Sequence, residues 1–374
     1  MIIPDIQLLA ESKGAPGWLI GAILASTFVV QLFVSPAWGR VSDRAGRKPI
    51  LLFCTGFSAL GMLIYGFSVS IPILILSRLC SGLGGANVAI AQAIIADGTS
   101  TEERTAAMGK IGAAITCGLI GGPVLGGFIG KYLGSSWVGF IAAACSALGL
   151  LLIWITLPNI RPASEAKSKT VLFDLRLLRS FPRVRDLVLV SCVAWFALAT
   201  LEGTFGRLIK ATLNFDQSHF GIVFGFESFI GFLVQAYLIA VIAKRIQDGT
   251  MLRGAYVLQG LGLGLTPFTY LFPNPSMWLV VLLGFSLLYA VGQGLANPTI
   301  NSLCSKLTPE DRQGELFGLL QGARSLGFIA GPLIGGILFD WHPASPYLLA
   351  GCVCVLAAFL VRAESPKEDA ATAY

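Results

Sequence analysis

The sequence has little charge. Of 374 residues, only 12% are Asp, Glu, Lys or Arg, while 55% are hydrophobic. A water-soluble domain carries roughly 25% charged residues, so a soluble enzyme or regulatory domain is excluded. Histidine is nearly absent, with only His219 and His342 present. No His/Cys set has metal-ligand spacing, so no metal or other cofactor is expected. The eight cysteines fall in or beside apolar runs and read as small packing residues, not disulfide partners. No glycine-rich loop leads into Gly-Lys-Ser/Thr. The stretches Ser81 to Asn87 and Gly260 to Leu265 lie in apolar segments, so ATP-driven chemistry is not expected. No nucleophile–base pair stands out, and the chain does not read as an enzyme. Nucleic acid is not needed to explain its net charge of +6.

What the sequence has in abundance is long apolar runs. Eleven are found, at about 18–38, 49–68, 72–96, 107–131, 136–157, 186–206, 219–243, 252–271, 277–303, 314–339 and 344–361. A lipid-spanning helix needs ~20 such residues. The alternating pattern of a membrane barrel is absent. The expected fold is an all-α, multi-pass membrane protein in a lipid bilayer. The longest polar stretch, 158–185, divides the chain. Residues 1–157 form an N-terminal bundle of five complete spans plus the end of a first. Residues 158–185 form a cytoplasmic linker, with a short interfacial helix near Phe173–Leu178. Residues 186–362 form a six-helix bundle, and 363–374 a tail.

Positive charge is uneven. One alternate set of loops holds 18 of the 26 Lys and Arg residues, the opposite set only Lys13, Lys131, Arg207 and Lys210. The rich set is cytoplasmic by the positive-inside rule, which puts the C-terminus in the cytoplasm and residue 1 outside. The chain also repeats itself. Gly109, Gly118, Gly122, Pro123 and Gly126 recur as Gly318, Gly327, Gly331, Pro332 and Gly335, at a constant offset of 209 residues. Such parallel halves are a transporter architecture. By that offset the partner of the span near Asp186 begins about 20 residues before Met1, so most of a first helix is expected to be missing, with MIIP as its outer end.

Three motifs carry a family resemblance. Gly39 to Pro49, GRVSDRAGRKP, resembles motif A of the major facilitator superfamily, matching at Gly39, Asp43, Arg44, Gly46, Arg47 and Lys48. Arg78 to Ala86, RLCSGLGGA, is similar to motif B. The stretch from Gly109 to Gly126 resembles motif C, the antiporter motif. IADGTS, at Ile95 to Ser100, looks like the tetracycline-efflux subgroup. The resemblance implies two six-helix bundles, a central cavity and alternating access, in the drug:proton antiporter branch. It places Asp43 against the eleventh helix, near Gly314. Arg44, Arg47 and Lys48 would then pair with acids such as Asp97 or Glu102, forming a latch for the outward-facing state. The resemblance also makes Arg78 a modulator of a nearby acid's protonation. The first-helix acid that often couples transport in this family is expected to be missing with that helix.

Other candidates come from the residues themselves. Asp43 suits a helix N-terminus, where the dipole favours an anion. Arg78 and Arg324 are charges inside apolar runs, which are functional by default. Glu227, eight residues into its run, is the best remaining carboxylate to carry a proton, and Glu202, near an outer end, is a weaker one. Gln31, Asn87, Gln235, Gln293, Asn297 and Gln321 are cavity candidates, although membrane amides also tie helix to helix. Phe33, Trp195, Phe226 and Tyr289 are candidate stacking rings. The two Gly/Pro helices are expected at the interface between halves. The function expected is export of drugs or other amphipathic molecules in exchange for protons, by a monomer in the plasma membrane. The alternatives are a metabolite facilitator or symporter, or a non-transporting sensor or chaperone of the same fold.

Overall fold

The computed structural model describes residues 2–98, 101–158, 176–243, 245–308 and 313–361. Among these no strand occurs. The N-terminal helices are α1 (Ile3–Ser12), α2 (Gly17–Ala45), α3 (Arg47–Gly66), α4 (Ile71–Leu83), α5 (Asn87–Gly98), α6 (Thr101–Tyr132) and α7 (Ser135–Thr156). After the short α8 (Arg176–Ser180) come α9 (Pro182–Leu213), α10 (Gln217–Leu233), α11 (Ile239–Ile242), α12 (Asp248–Leu265), α13 (Trp278–Lys306), α14 (Gln313–Trp341) and α15 (Ser345–Leu360).

Local chemistry sets many of the boundaries. Proline stands in the first turn of α1, α4, α9 and α15, where its missing N–H costs nothing. The α2 helix stops at Gly46, whose φ of +99° continues no helix. One apolar run, 71–95, is interrupted at Gly84–Ala86, which separates α4 from α5. Another carries a π-helical turn, Val234–Leu238, between α10 and α11. Asp216 caps α10, its carboxylate accepting from the Ser218 and His219 amides.

Eight helices among the described residues are long and apolar enough to cross a membrane. The other expected runs are covered by α6, which carries Glu102, Glu103 and Arg104, by the 18-residue α12, and by the 16-residue α15. Large apolar side chains such as Trp154, Ile155, Leu348 and Phe359 face outward, as a lipid-facing surface requires. The largest buried cluster lies among α9 to α15, around Phe205, Phe220, Tyr256 and Tyr347. Tyr256 donates to the Val190 carbonyl and Thr204 to the Tyr347 hydroxyl, so the buried hydroxyls are paired.

Two expectations about position are corrected. Asp43 lies in the last turns of α2, not at a helix N-terminus. Arg207 is not a loop residue, because α9 continues past the apolar run and buries it. A short helix is present at Arg176–Ser180, and 173–175 lie outside the described residues.

Candidate functional site

The short helix α1 carries Asp5, Gln7 and Glu11, and each is tied to helices beyond the polar stretch. The Asp5 carboxylate is fully buried. It accepts from Gln217 Nε2 at 2.6 Å, Ser135 Oγ at 2.7 Å and Tyr65 Oη at 2.7 Å. The Gln7 side chain donates to the Glu202 carbonyl and accepts from the Gly206 amide at 3.0 Å. Glu11 pairs with Arg207 at 3.2 Å.

Arg207 also pairs with Asp340 of α14 at 3.1 Å, and its guanidinium lies 4.3 Å from the centroid of the Phe339 ring. Asp340 accepts from the Gly17 amide at 2.7 Å and 3.0 Å. Residue 16 is proline and offers no cap, so a helix from the other side of the chain caps α2. At the same end, Lys131 of α6 pairs with Asp216 at 2.9 Å. Burial pushes the Asp216 carboxyl up, but bonds from Ser218, Lys131 and His219 hold it well below the usual carboxylate range. All these ties lie at one end of the bundle, where they clasp helices from the two sides of the polar stretch together.

Backbones also meet there. A Cβ on Gly21 of α2 would collide with the Pro332 carbonyl of α14, and one on Gly221 of α10 would lie 2.8 Å from the Pro123 carbonyl of α6. Glycine is needed at both because another backbone occupies the side-chain space. The repeat therefore does bring α6 and α14 against helices from across the polar stretch. Its glycine stripe is another matter. Gly327, Gly331 and Gly335 face α9, which lies in the same part of the chain, while Gly118 meets nothing within 4 Å. Gly122 and Gly126 lie further along the same α6. The side-chain positions of Gly109 and Gly318 lie outside the described residues.

Below the clasp is a cavity of about 110 Å³, lined by Thr27, Phe28, Arg78, Glu202, Phe328 and Pro332 among others. Two of the expected site residues meet in it. Arg78 is 5% exposed. Its Nε donates to Ser77 Oγ at 3.3 Å, its guanidinium stands 5.4 Å from the Tyr65 ring centroid, and one terminal nitrogen has no partner. Glu202 lines this cavity. Glu227 is buried elsewhere, with the Ser286 hydroxyl in hydrogen-bonding reach. Gln321 and Arg324 of α14 and Phe33 of α2 are exposed. Arg324 lies 4.5 Å from the Trp195 ring centroid, and Phe328 stacks on Phe28 at 4.4 Å.

Several amides expected in a cavity hold helices together instead. Gln31 donates to the Gly85 carbonyl at 3.0 Å, stitching α2 to the α4–α5 break. Asn87 donates to Ser58 at 3.2 Å. Gln293 accepts from Tyr289 at 2.9 Å and Gln259 at 3.0 Å. Asn297 is half-buried and Gln235 exposed. In motif A, Lys48 donates to the carbonyls of Trp154 and Leu157, and Arg47 to Ser42 Oγ. Gly39 and Gly46 are half-buried and Arg44 exposed. The side chains of Asp43 and Asp97 lie outside the described residues. Asp5, Glu11 and Asp340 were not singled out from sequence. The signal available was an acid at each end of a short apolar stretch ahead of Pro16.

The family model described as Major Facilitator Superfamily matches residues 1–332 and again 187–373. The chain belongs to the major facilitator superfamily. Tetracycline resistance protein, class D, of Salmonella ordonez is 28% identical over 86% of this chain and 79% of its own length. Multidrug resistance protein 1 of Bacillus subtilis is 28% identical over 94% and 88%. The crystal structure of the human organic anion transporter MFSD10 shares the fold, with a TM-score of 0.66 and 24% identity over 96% of this chain and 89% of that one. This superfamily member is thus a multi-pass membrane transporter, not an enzyme.

Proposed function

We propose that this transporter exports amphipathic small molecules in exchange for protons, by alternating access between two six-helix bundles. In this reading α6, α12 and α15 also span, which makes about eleven spans, and 158–185 links the bundles in the cytoplasm. The C-terminus is cytoplasmic and the working unit a monomer. One observation carries the reading. Beneath a shut outer clasp, two carboxylates, Glu202 and Glu227, sit inside the bundle with no cation within ion-pair distance among the described residues. A buried acid without a counterion is suited to hold and release a proton. Arg78 lines the cavity with Glu202, and Arg324 acts on Glu202 through space without an ion pair.

In this reading the conformation is the inward-facing one. On the same reading Asp43, Arg44, Arg47, Lys48 and Asp97 form a cytoplasmic latch for the outward-facing state, and Lys48 donates to backbone carbonyls in the same region. Efflux relatives support the direction of transport.

The test is uptake into inverted vesicles holding the full chain, with an imposed acid-inside gradient. The expected result is accumulation of tetracycline, a quinolone or ethidium that collapses with nigericin. Accumulation should be lost in Glu227→Gln and reduced in Glu202→Gln and Arg78→Ala. Gradient-independent entry of all three compounds would contradict the proposal.

A further inference from the structure

The cavity beneath the clasp holds two opposite charges that do not neutralise each other. Arg78 stands on one wall, from α4, and Glu202 on another, from α9. No ion pair joins them; Glu202 lies within the field of Arg324 without touching it, and neither Arg78 nor Glu202 has an opposite charge within 4.0 Å among the described residues. The Tyr65 hydroxyl, the polar group nearest the arginine's aromatic contact, is already given to Asp5. Asp5 in turn is fully engaged by Tyr65, Ser135 and Gln217. One terminal Arg78 nitrogen is buried without a partner, and the rest of the guanidinium side chain lines the cavity with no acceptor on it beyond Ser77. An unpaired ion within a membrane bundle costs several kcal/mol, and an acceptor entering the cavity would remove that cost.

Apart from Thr27 the rest of the lining is apolar, and it includes the mutually stacked rings of Phe28 and Phe328. At about 110 Å³ the space is smaller than the ~300 Å³ that a drug-sized ligand fills. It takes the head of a substrate, not the whole.

We infer that the Arg78–Glu202 cavity is a subsite for a zwitterionic head group: an anionic group docks on Arg78, a cationic group on Glu202, and an aromatic plane lies against Phe28 and Phe328. The inference rests on the exporter reading. A purely cationic head meets Arg78 unpaired, and a purely anionic head meets Glu202. A zwitterion completes both charges and adds none. Its cationic end occupies the carboxylate that would otherwise hold a proton, so binding and protonation compete there, as exchange requires. The anionic end leaves that competition untouched.

The experiment uses the full chain in lipid nanodiscs and four probes on one ring system: naphthylalanine, naphthylethylamine, naphthylpropionate and ethylnaphthalene. Affinities are read by calorimetry. The expected result is that the amino acid binds about tenfold or more tighter than the amine or the acid, the equivalent of one charge-assisted hydrogen bond. In Arg78→Gln the amino acid should fall to the level of the amine, while the amine does not weaken. In Glu202→Gln it should fall to the level of the acid. Arg78→Lys should keep part of the preference, which separates charge recognition from loss of packing. Equal affinities across the probes, a ranking by apolarity alone, or parallel weakening of all four in Arg78→Gln would overturn the inference. Gradient-driven flux of ethidium in the same preparations tests the exporter reading separately. Flux without a charge preference overturns only the subsite, and a preference without flux overturns only the exporter.

Discussion

At the residue scale, the outer clasp is built from a few charges placed where helices from the two sides of the polar stretch meet. Arg207 is the hub, with Glu11 and Asp340 on it. Arg207 is buried while its two partners are partly exposed, so removing either partner leaves a buried cation less compensated. Asp340→Asn, which also weakens the cap on Gly17, should therefore speed amide hydrogen exchange in α1 and the first turn of α2 several-fold. Glu11→Gln should do the same in α1, and unchanged exchange in both variants would show that the cluster does not hold the outer end shut. Asp216 allows a pH statement. Its carboxyl is held below its ordinary value of 3.8 when paired, so its contribution is present above that value and fades only as pH falls further. The Lys131–Asp216 tie should be constant between about pH 5 and 8, whereas Asp216→Asn should loosen it at every pH. Hydrogen exchange at the start of α10 reports both.

Intramembrane charges were legible in sequence wherever a charge interrupts an apolar run, as at Arg78, Glu227 and Arg324. Arg207 and Asp340 were not, because they lie where apolar runs end while their helices continue. A polar residue at such a place looks the same in sequence whether it faces water or another helix.

At the element scale, the clasp closes because proline-bearing helices receive glycine-bearing ones: α14 takes α2 at Pro332 and Gly21, and α6 takes α10 at Pro123 and Gly221. Adding a methyl group in such a contact costs roughly 1–3 kcal/mol through forced backbone shifts. Gly21→Ala and Gly221→Ala should each slow gradient-driven uptake in inverted vesicles about tenfold. Gly149→Ala, where the methyl meets open space, should leave it unchanged. Equal rates in all three would mean that close approach is not needed for turnover. The constant offset between Gly109 and Gly318 made the paired helices visible beforehand, but not their partners. Spacing of three or four residues fixes which positions share a helix face and says nothing about what that face meets. The Gly327–Gly331–Gly335 stripe turned out to face α9, while residues just past Pro332 meet α2.

At the scale of the whole molecule, the fold was the most legible layer, since long apolar runs leave few choices in lipid. The state of the molecule was the least legible. Which end is shut depends on long-range ties such as Asp5 to Gln217 and Gln7 to Gly206, separated by about 200 residues in the chain, and no local pattern encodes them. The central claim is exchange: a molecule leaves the cytoplasm as a proton enters it. The most direct measurement follows both at once, in inverted vesicles with an acid interior and a pH-sensitive dye inside. Adding ethidium or tetracycline should alkalinise the lumen in step with drug uptake, and Glu227→Gln should abolish both signals. Drug entry with no proton leaving, or proton leak indifferent to drug, would contradict the account.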